Sequence, residues 1–255
     1  MSDPALTGHL KGQADGLPFS VELRKNEKEF AMHLDLFQKK EEAMISLLTI
    51  EESWKGLPDL ELSSLSPDQT AVVFVDVIEG FVNQGPLASE RAKDIIAPVK
   101  RLNEEAKGFH KIYFQDCHTK DSAEFGAYVP HCLKGTAETE LISELIPEAD
   151  GRSLQIEKNC TNGFMAPGFQ SWLAAHPEVV NFVLAGLVTD ICVMTFALTL
   201  KSYFNEKNIV SRLMLPLTAA ETFDLPATNH QAELMNTFAV YNMQMNGIEI
   251  YRDLA

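Results

Sequence analysis

The chain predicts an α/β fold: a three-layer αβα sandwich whose mostly parallel, doubly wound sheet has about six strands, preceded by an N-terminal helical extension. Three observations carry this. From about Thr70 onward, short apolar runs alternate with amphipathic helical stretches, the rhythm of βαβ units closing a parallel sheet. A hydrophobic content of 45% over 255 residues is ample for one large core without disulfides or a structural metal. The polar residues with chemical potential lie at the carboxyl ends of the apolar runs, where open α/β sheets bind ligands.

The expected strands are Ala71–Asp76, Lys111–Asp116, Ser153–Lys158, Val180–Leu187, Ile209–Leu215 and, more weakly, Gly247–Tyr251. Helical stretches between them cover Ser89–Lys107, Ala137–Leu145, Phe169–Ala175, Asp190–Asn205 and Asn229–Phe238. Residues 1–69 differ. From Glu27 to about Ser53, Phe30, Leu34, Phe37, Met44 and Leu48 recur near helical spacing against a charged face. Gly56 and Pro58 stop that helix. It reads as an extension packed on the core or on a second subunit of a homo-oligomer, with residues 70–255 forming a separate α/β domain.

A formal charge of −15 without a basic cluster argues against nucleic acid and anionic membranes as partners. No apolar stretch approaches membrane-spanning length. Cys117, Cys132, Cys160 and Cys192 lie far apart, and residues 1–20 lack a basic start and an apolar run. A reduced, cytoplasmic setting with free thiols is expected.

Leu184-Ala185-Gly186-Leu187-Val188-Thr189-Asp190-Ile191-Cys192 is the most informative segment. It reads as a buried strand running into a capping Thr189 or Asp190 and opening a helix with a cysteine in its first turn. A helix start stabilises an anion, hence thiolate. A single cysteine is also commonly a small buried apolar residue, and the segment alone leaves both readings open. Asp76, ending the first strand, is placed for general acid–base work; Lys158, ending the third, would favour a thiolate and stabilise developing negative charge. Taken singly, each is an ordinary strand-end Asp or surface lysine; as a set they are informative. The second strand ends in Asp116-Cys117-His118, followed by Glu124 and His131. These supply borderline nitrogen and oxygen donors for Zn²⁺, Fe²⁺ or Mn²⁺ with open positions, Glu124 serving as a fourth ligand or binding through water. Strand alternation turns Cys117 away from that set.

Asp76-Val-Ile-Glu-Gly-Phe81, Lys158 and Gly186-Leu-Val-Thr-Asp-Ile-Cys192, in this order and spacing, resemble the Asp–Lys–Cys constellation of the isochorismatase-like cysteine hydrolases. The Asp116-x-His118…Glu124…His131 loop narrows the resemblance to the nicotinamidase branch, and Pro130-His131-Cys132-Leu133-Lys134-Gly135-Thr136 resembles that branch's loop after its last metal histidine. The likeness covers Thr70 to the carboxyl terminus. Ile78-Glu79-Gly80 and Asn162-Gly163-Phe164 depart from the family's usual Gln-Asn-Asp and Ser-Ala-Phe, on the side of substrate choice rather than of the catalytic core.

The resemblance implies Cys192 as nucleophile, Asp76 as proton carrier and Lys158 as the charge that holds them. It implies an oxyanion hole from the backbone N–H groups of Val188 and Cys192, with a cis peptide expected at Val188–Thr189. Asp116, His118 and His131, with Glu124, would hold one divalent metal, zinc first and iron or manganese next. Phe81 and Phe164, with Tyr128, would wall a flat ring. The implied reaction is hydrolysis of a small amide, nicotinamide to nicotinate and ammonia. Alternatives are another amide or N-carbamoyl substrate, or a non-catalytic binding paralogue. A flavodoxin-like nucleotide module would want a glycine-rich loop after the first strand, which Asp76-Val-Ile-Glu-Gly does not supply.

Overall fold

The computed structural model describes residues 39–255. Seven strands form one sheet: β1 (Thr70–Val75), β2 (His110–Asp116), β3 (Ser153–Lys158), β4 (Asn181–Leu187), β5 (Arg212–Pro216), β6 (Ala220–Glu221) and β7 (Glu249–Tyr251). The order is β3-β2-β1-β4-β5-β7, with β6 pairing the end of β4, and every pairing is parallel. The chain winds outward from β1 to β3, then returns to place β4 on the other side of β1. The strand order therefore reverses between β1 and β4, and the crevice rule puts the ligand at their carboxyl ends.

The helices are α1 (Lys40–Trp54), α2 (Glu79–Val82), α3 (Ile96–Glu105), α4 (Pro167–Ala175), α5 (Met194–Glu206) and α6 (Ala232–Met245). β1 shows why two helical layers form. All six of its residues are buried, and the two-residue period of a strand sends them alternately to opposite faces. Val72 and Phe74 join a core with Val99 and Leu102 of α3. Ala71, Val73 and Val75 join a second core with Phe169 of α4, Phe196 of α5 and Met243 of α6. The predicted three-layer arrangement is present.

Several expected elements change. The stretch Ala137–Leu145 holds a single 3₁₀ turn, Ala137–Thr139, rather than a helix. Its backbone is spent elsewhere: Glu140 carbonyl accepts from Glu79 N at 2.8 Å, and Ile142 N donates to Val77 carbonyl at 3.3 Å. Those bonds bury Ile142 and Leu145 against the loop that comes after β1. The segment before α3 is 3₁₀, Glu90–Ile95. α6 starts at Ala232, where the Gln231 side chain caps by accepting from Leu234 N at 2.8 Å, and it runs on to Met245. The two-residue β6 and the short α2 carry no sequence signal long enough to read.

The expected N-terminal amphipathic helix is described only from Lys40 onward; Phe30, Leu34 and Phe37 lie outside the described residues. α1 buries none of its residues, and Met44, Ile45 and Leu48 are 56%, 64% and 56% exposed. Met44 and Leu48 therefore do not pack on the core, one of the two settings expected for this face. Contact begins at the helix end, where Trp54 and Leu57 lie against the second core and Trp54 Nε1 donates to Gln244 Oε1 at 3.1 Å.

Gly186 pairs with Val75 across β4 and β1 with no room for a side chain. Its φ of +124° is a conformation that side chains rarely adopt, and a Cβ there would overlap the Val75 backbone, carbonyl oxygen included. The contact sits one residue before Asp76. Gly186→Ala should therefore lower stability by on the order of 3 kcal/mol or more. Chemical denaturation checks this: an unchanged midpoint would contradict so tight a strand pairing.

Candidate active site

Three strand ends meet at one buried point. Asp76 comes directly after β1 with φ 53°, a left-handed conformation that Asp tolerates better than most residues. The turn is held by Asp76 N donating to Phe114 carbonyl at 3.1 Å and by Asp76 Oδ1 accepting from Asp116 N at 3.0 Å. Asp116 and Lys158 end β2 and β3 in direct register. The Lys158 ammonium lies 2.8 Å from Asp76 Oδ2, hydrogen-bonds Asp116 Oδ1, and sits 3.8 Å from Cys192 Sγ. Asp76, Asp116, Lys158 and Cys192 are all buried. The expected trio of cysteine, carboxylate and lysine is thus brought together from separate chain segments.

Cys192 arrives differently from expectation. The cis peptide is Leu187–Val188, one residue earlier than Val188–Thr189. Leu187 still pairs with Glu221 of β6, so the chain turns immediately after it. A π-helical turn, Thr189–Val193, then leads into α5. Neither Thr189 nor Asp190 caps it; the N-cap is Val188, extended and without a side-chain bond. Asp190 instead accepts from Thr222 Oγ1 at 2.6 Å and pairs with His230 Nε2 at 2.9 Å. The Val188 carbonyl accepts from Ile191 N and Val193 N at 3.1 and 3.2 Å, which fixes the backbone that carries the Val188 and Cys192 N–H groups.

Burial outweighs the helix start at the sulfur. It pushes the Cys192 thiol well above its ordinary range; Lys158 pulls the other way, while Asp76 and Asp116 add to the rise. Burial, then the Asp116 charge, push Asp76 up to about 7 against the pull of Lys158. Burial also works against the Lys158 ammonium, but Asp116, Asp76 and Cys192 outweigh it and keep it charged. Asp116 is raised by burial, yet Lys158, His118 and His131 hold it well below the usual carboxylate range. The arrangement is therefore a protonated thiol beside a carboxylate with a near-neutral proton affinity, both facing a fixed positive charge.

Asp116 Oδ2 also faces two imidazoles, His118 Nε2 at 3.5 Å and His131 Nε2 at 3.6 Å. Donor atoms of these three buried residues lie within 4.8 Å of one another. Each ring is oriented from its far side: His131 Nδ1 donates to Val129 carbonyl at 2.8 Å, and His118 Nδ1 lies 3.3 Å from Asn159 Oδ1. His118 Nε2 is buried without a hydrogen-bond partner. An orphaned buried nitrogen aimed into a carboxylate–imidazole cluster fits a divalent cation in donor type and in outer-shell support. Glu124 is not part of that close cluster. Its Oε1 accepts from Thr161 N at 3.0 Å and from the Thr161 hydroxyl, while Oε2 is buried and unpartnered. Cys117 and Cys132 lie outside the cluster as well.

These groups open into a narrow slot reached by Asp116, His131 and Cys192 and walled by Phe81, Tyr128, Val188, Ile191 and Phe223. Phe81 and Tyr128 line it as expected, and Glu124 lies on its edge. Phe164 does not. Asn162 Oδ1 accepts from Phe164 N at 3.0 Å and closes a 3₁₀ turn. The ring packs instead on Phe169 and Tyr203, with centroids 5.8 and 5.4 Å away. Sequence reasoning missed Ile191 and Phe223. Ile191 reads as a spacer between Asp190 and Cys192, and Phe223 falls in a stretch with no predicted element; neither carries a local signal. The Asp190–Thr222–His230 clamp was missed for the same reason.

Residues 70–202, just over half of the chain, match the family model described as Isochorismatase domain. Nicotinamidase 1 of Arabidopsis thaliana is 29% identical over 209 residues, covering 70% of this chain and 84% of that protein. The N-carbamoylsarcosine amidase of Thermoplasma acidophilum superposes with a TM-score of 0.58 at 26% identity, over 72% of this chain and 96% of that one. The pyrazinamidase of Pyrococcus horikoshii in complex with zinc does so with a TM-score of 0.58 at 20% identity, over 71% and 98%. With its parallel α/β sheet, a shared domain model and these relatives, the chain belongs to the isochorismatase family.

Proposed function

We propose that this chain is a metal-containing cysteine amidohydrolase of the nicotinamidase branch, converting nicotinamide to nicotinate and ammonia. The observation that carries the reading is the convergence of Cys192, Asp76 and Lys158 beside the Asp116–His118–His131 cluster, at the end of a slot walled by flat side chains. The 29% identity to a protein named Nicotinamidase 1 supports the substrate. The zinc in the Pyrococcus horikoshii pyrazinamidase supports zinc as the metal.

Asp76 takes the Cys192 proton as the sulfur attacks the carboxamide carbon, giving a tetrahedral adduct. The N–H groups of Val188 and Cys192 receive the developing oxyanion, and Lys158 steadies the negative charge that moves between sulfur and carboxylate. Asp76 then delivers the proton to the departing nitrogen; ammonia leaves and a thioester remains. Water deprotonated by Asp76 attacks the thioester, the acid departs and the thiol is regenerated. Asp116, His118 and His131 would hold the metal, with Glu124 reaching it through water, and the bound ion would supply a Lewis-acid contact for the ring nitrogen that orients the amide over the sulfur. Phe81 and Tyr128 confine the ring to a plane.

A second reading, hydrolysis of an N-carbamoyl compound, is favoured by the 26% identity to the N-carbamoylsarcosine amidase. The aromatic walls at Phe81 and Tyr128 favour the ring substrate. A non-catalytic paralogue would lack one of the three reactive residues, and all three are in place. Four unpaired cysteines are in keeping with a cytoplasmic enzyme; among the described residues, no helix is long and apolar enough to cross a membrane.

Ammonia release from a panel of nicotinamide, pyrazinamide and N-carbamoyl amino acids tests the substrate; kcat/KM highest for an N-carbamoyl compound would overturn the nicotinamide reading. Cys192→Ala should lower kcat by at least about 10³-fold while retaining bound metal. Asp76→Asn should lower it by about 10²- to 10⁴-fold, with substrate binding largely kept. His118→Ala should cost the protein one metal equivalent by elemental analysis; an unchanged content would remove it from the ligand set.

A further inference from the structure

A second cluster of metal-ligand type lies at the opposite, amino-terminal end of the strands. His110 is the first residue of β2, whereas Asp116 is its last, so the two clusters stand about 20 Å apart along one strand. His176 ends α4 as its C-cap residue, and Glu178 comes two residues later. Ligand atoms of His110, His176 and Glu178 all lie within 4.8 Å of one another.

Two features make this more than a chance meeting of polar side chains. His176 Nδ1 lies 2.8 Å from the Trp172 carbonyl. A carbonyl only accepts, so Nδ1 carries the hydrogen, and in the neutral ring Nε2 is left with its lone pair outward. That backbone-oriented tautomer is the arrangement in which metal-binding imidazoles are held. Trp172 also fixes both rings. His176 stacks on it at 4.7 Å and 21°, His110 meets it edge-on at 5.6 Å, and the two imidazoles lie 4.9 Å apart. The indole is itself buried in the second core, so the donor pair is pre-positioned rather than swept together. The neighbouring Arg152 guanidinium is committed elsewhere, to Asp68 Oδ1 at 2.7 Å and to Gly108 carbonyl at 2.9 Å.

We propose that His110, His176 and Glu178 form a second, peripheral metal site that binds a borderline divalent cation, Zn²⁺ by donor type, with water completing the coordination. Two imidazoles and one carboxylate match the His₂Glu set of open zinc sites. The donors come from the start of β2 and from the end of α4 and the residues just beyond it, so a bound ion staples that helix end to the sheet. The site does not depend on the amidohydrolase reading.

The test is zinc stoichiometry of the full chain, stripped with chelator and retitrated with Zn²⁺, read by elemental analysis after desalting. The native protein should bind two equivalents, and His118→Ala and His176→Ala one each. Glu178→Gln, at an exposed position that leaves folding untouched, should weaken the second equivalent by about tenfold or more. Ammonia release should be unchanged in His176→Ala and Glu178→Gln, and zinc should raise the melting temperature of His118→Ala but not of His118→Ala/His176→Ala. A single equivalent lost with His118→Ala and untouched by His176→Ala would overturn the peripheral site. A single equivalent lost with His176→Ala and kept in His118→Ala would instead overturn the active-site metal, so the two failures are separable.

Discussion

A lysine ammonium held in a dry interior is the constraint around which the rest of the site is organised. Moving such a charge out of water costs several kcal/mol unless it is met by close partners. Lys158 is met by two carboxylates delivered from adjacent strands, Asp76 at 2.8 Å and Asp116 through its Oδ1. Two negative charges against one positive leave an excess in a buried space. That excess adds to burial in pushing Asp76 up to about 7 and leaves Asp116 Oδ2 free to face two imidazoles. The raised proton affinity of Asp76 and the carboxylate face turned to the histidines thus have one source.

The parallel sheet is what makes this possible. Register pairing of Asp116 with Lys158 sets their carboxyl-end positions without any help from loops. The close approach of Gly186 to Val75 brings β4, and with it the cysteine turn, against the strand that carries Asp76. A site built on strand ends inherits the rigidity of the sheet, which suits a mechanism in which one proton passes over short distances.

Legibility in the sequence depended on whether a signal was local. β1, β2 and β4 are readable because buried parallel strands are near-continuous apolar runs, and β3 because an edge strand alternates apolar and polar residues; Asp76, Asp116 and Lys158 are readable because they end or directly follow such strands. Cys192 was readable from the turn just past one of them. The Ala137–Leu145 segment misleads because Ile142 and Leu145 have helix-like spacing, while backbone groups around them bond to the loop after β1. Phe164 misleads because a position along the chain does not give a direction; the Asn162 bond closes a turn that sends its ring into the core. The thiol misleads because a helix start is visible in sequence and the burial that opposes it is not. Phe223 and the Thr222–His230 hold on Asp190 are invisible in the sequence, since they depend on tertiary contacts between residues far apart along the chain.

That hold has a wider reach. Asp190 stands two residues before Cys192, yet its two partners come from the stretch between β6 and α6. The posture of the sulfur is thereby leashed to a segment that includes none of Asp76, Lys158 and Cys192. A change at Thr222 or His230 would therefore shift Asp190, and through it the turn that carries Cys192, while Asp76, Lys158 and Cys192 stay letter for letter the same.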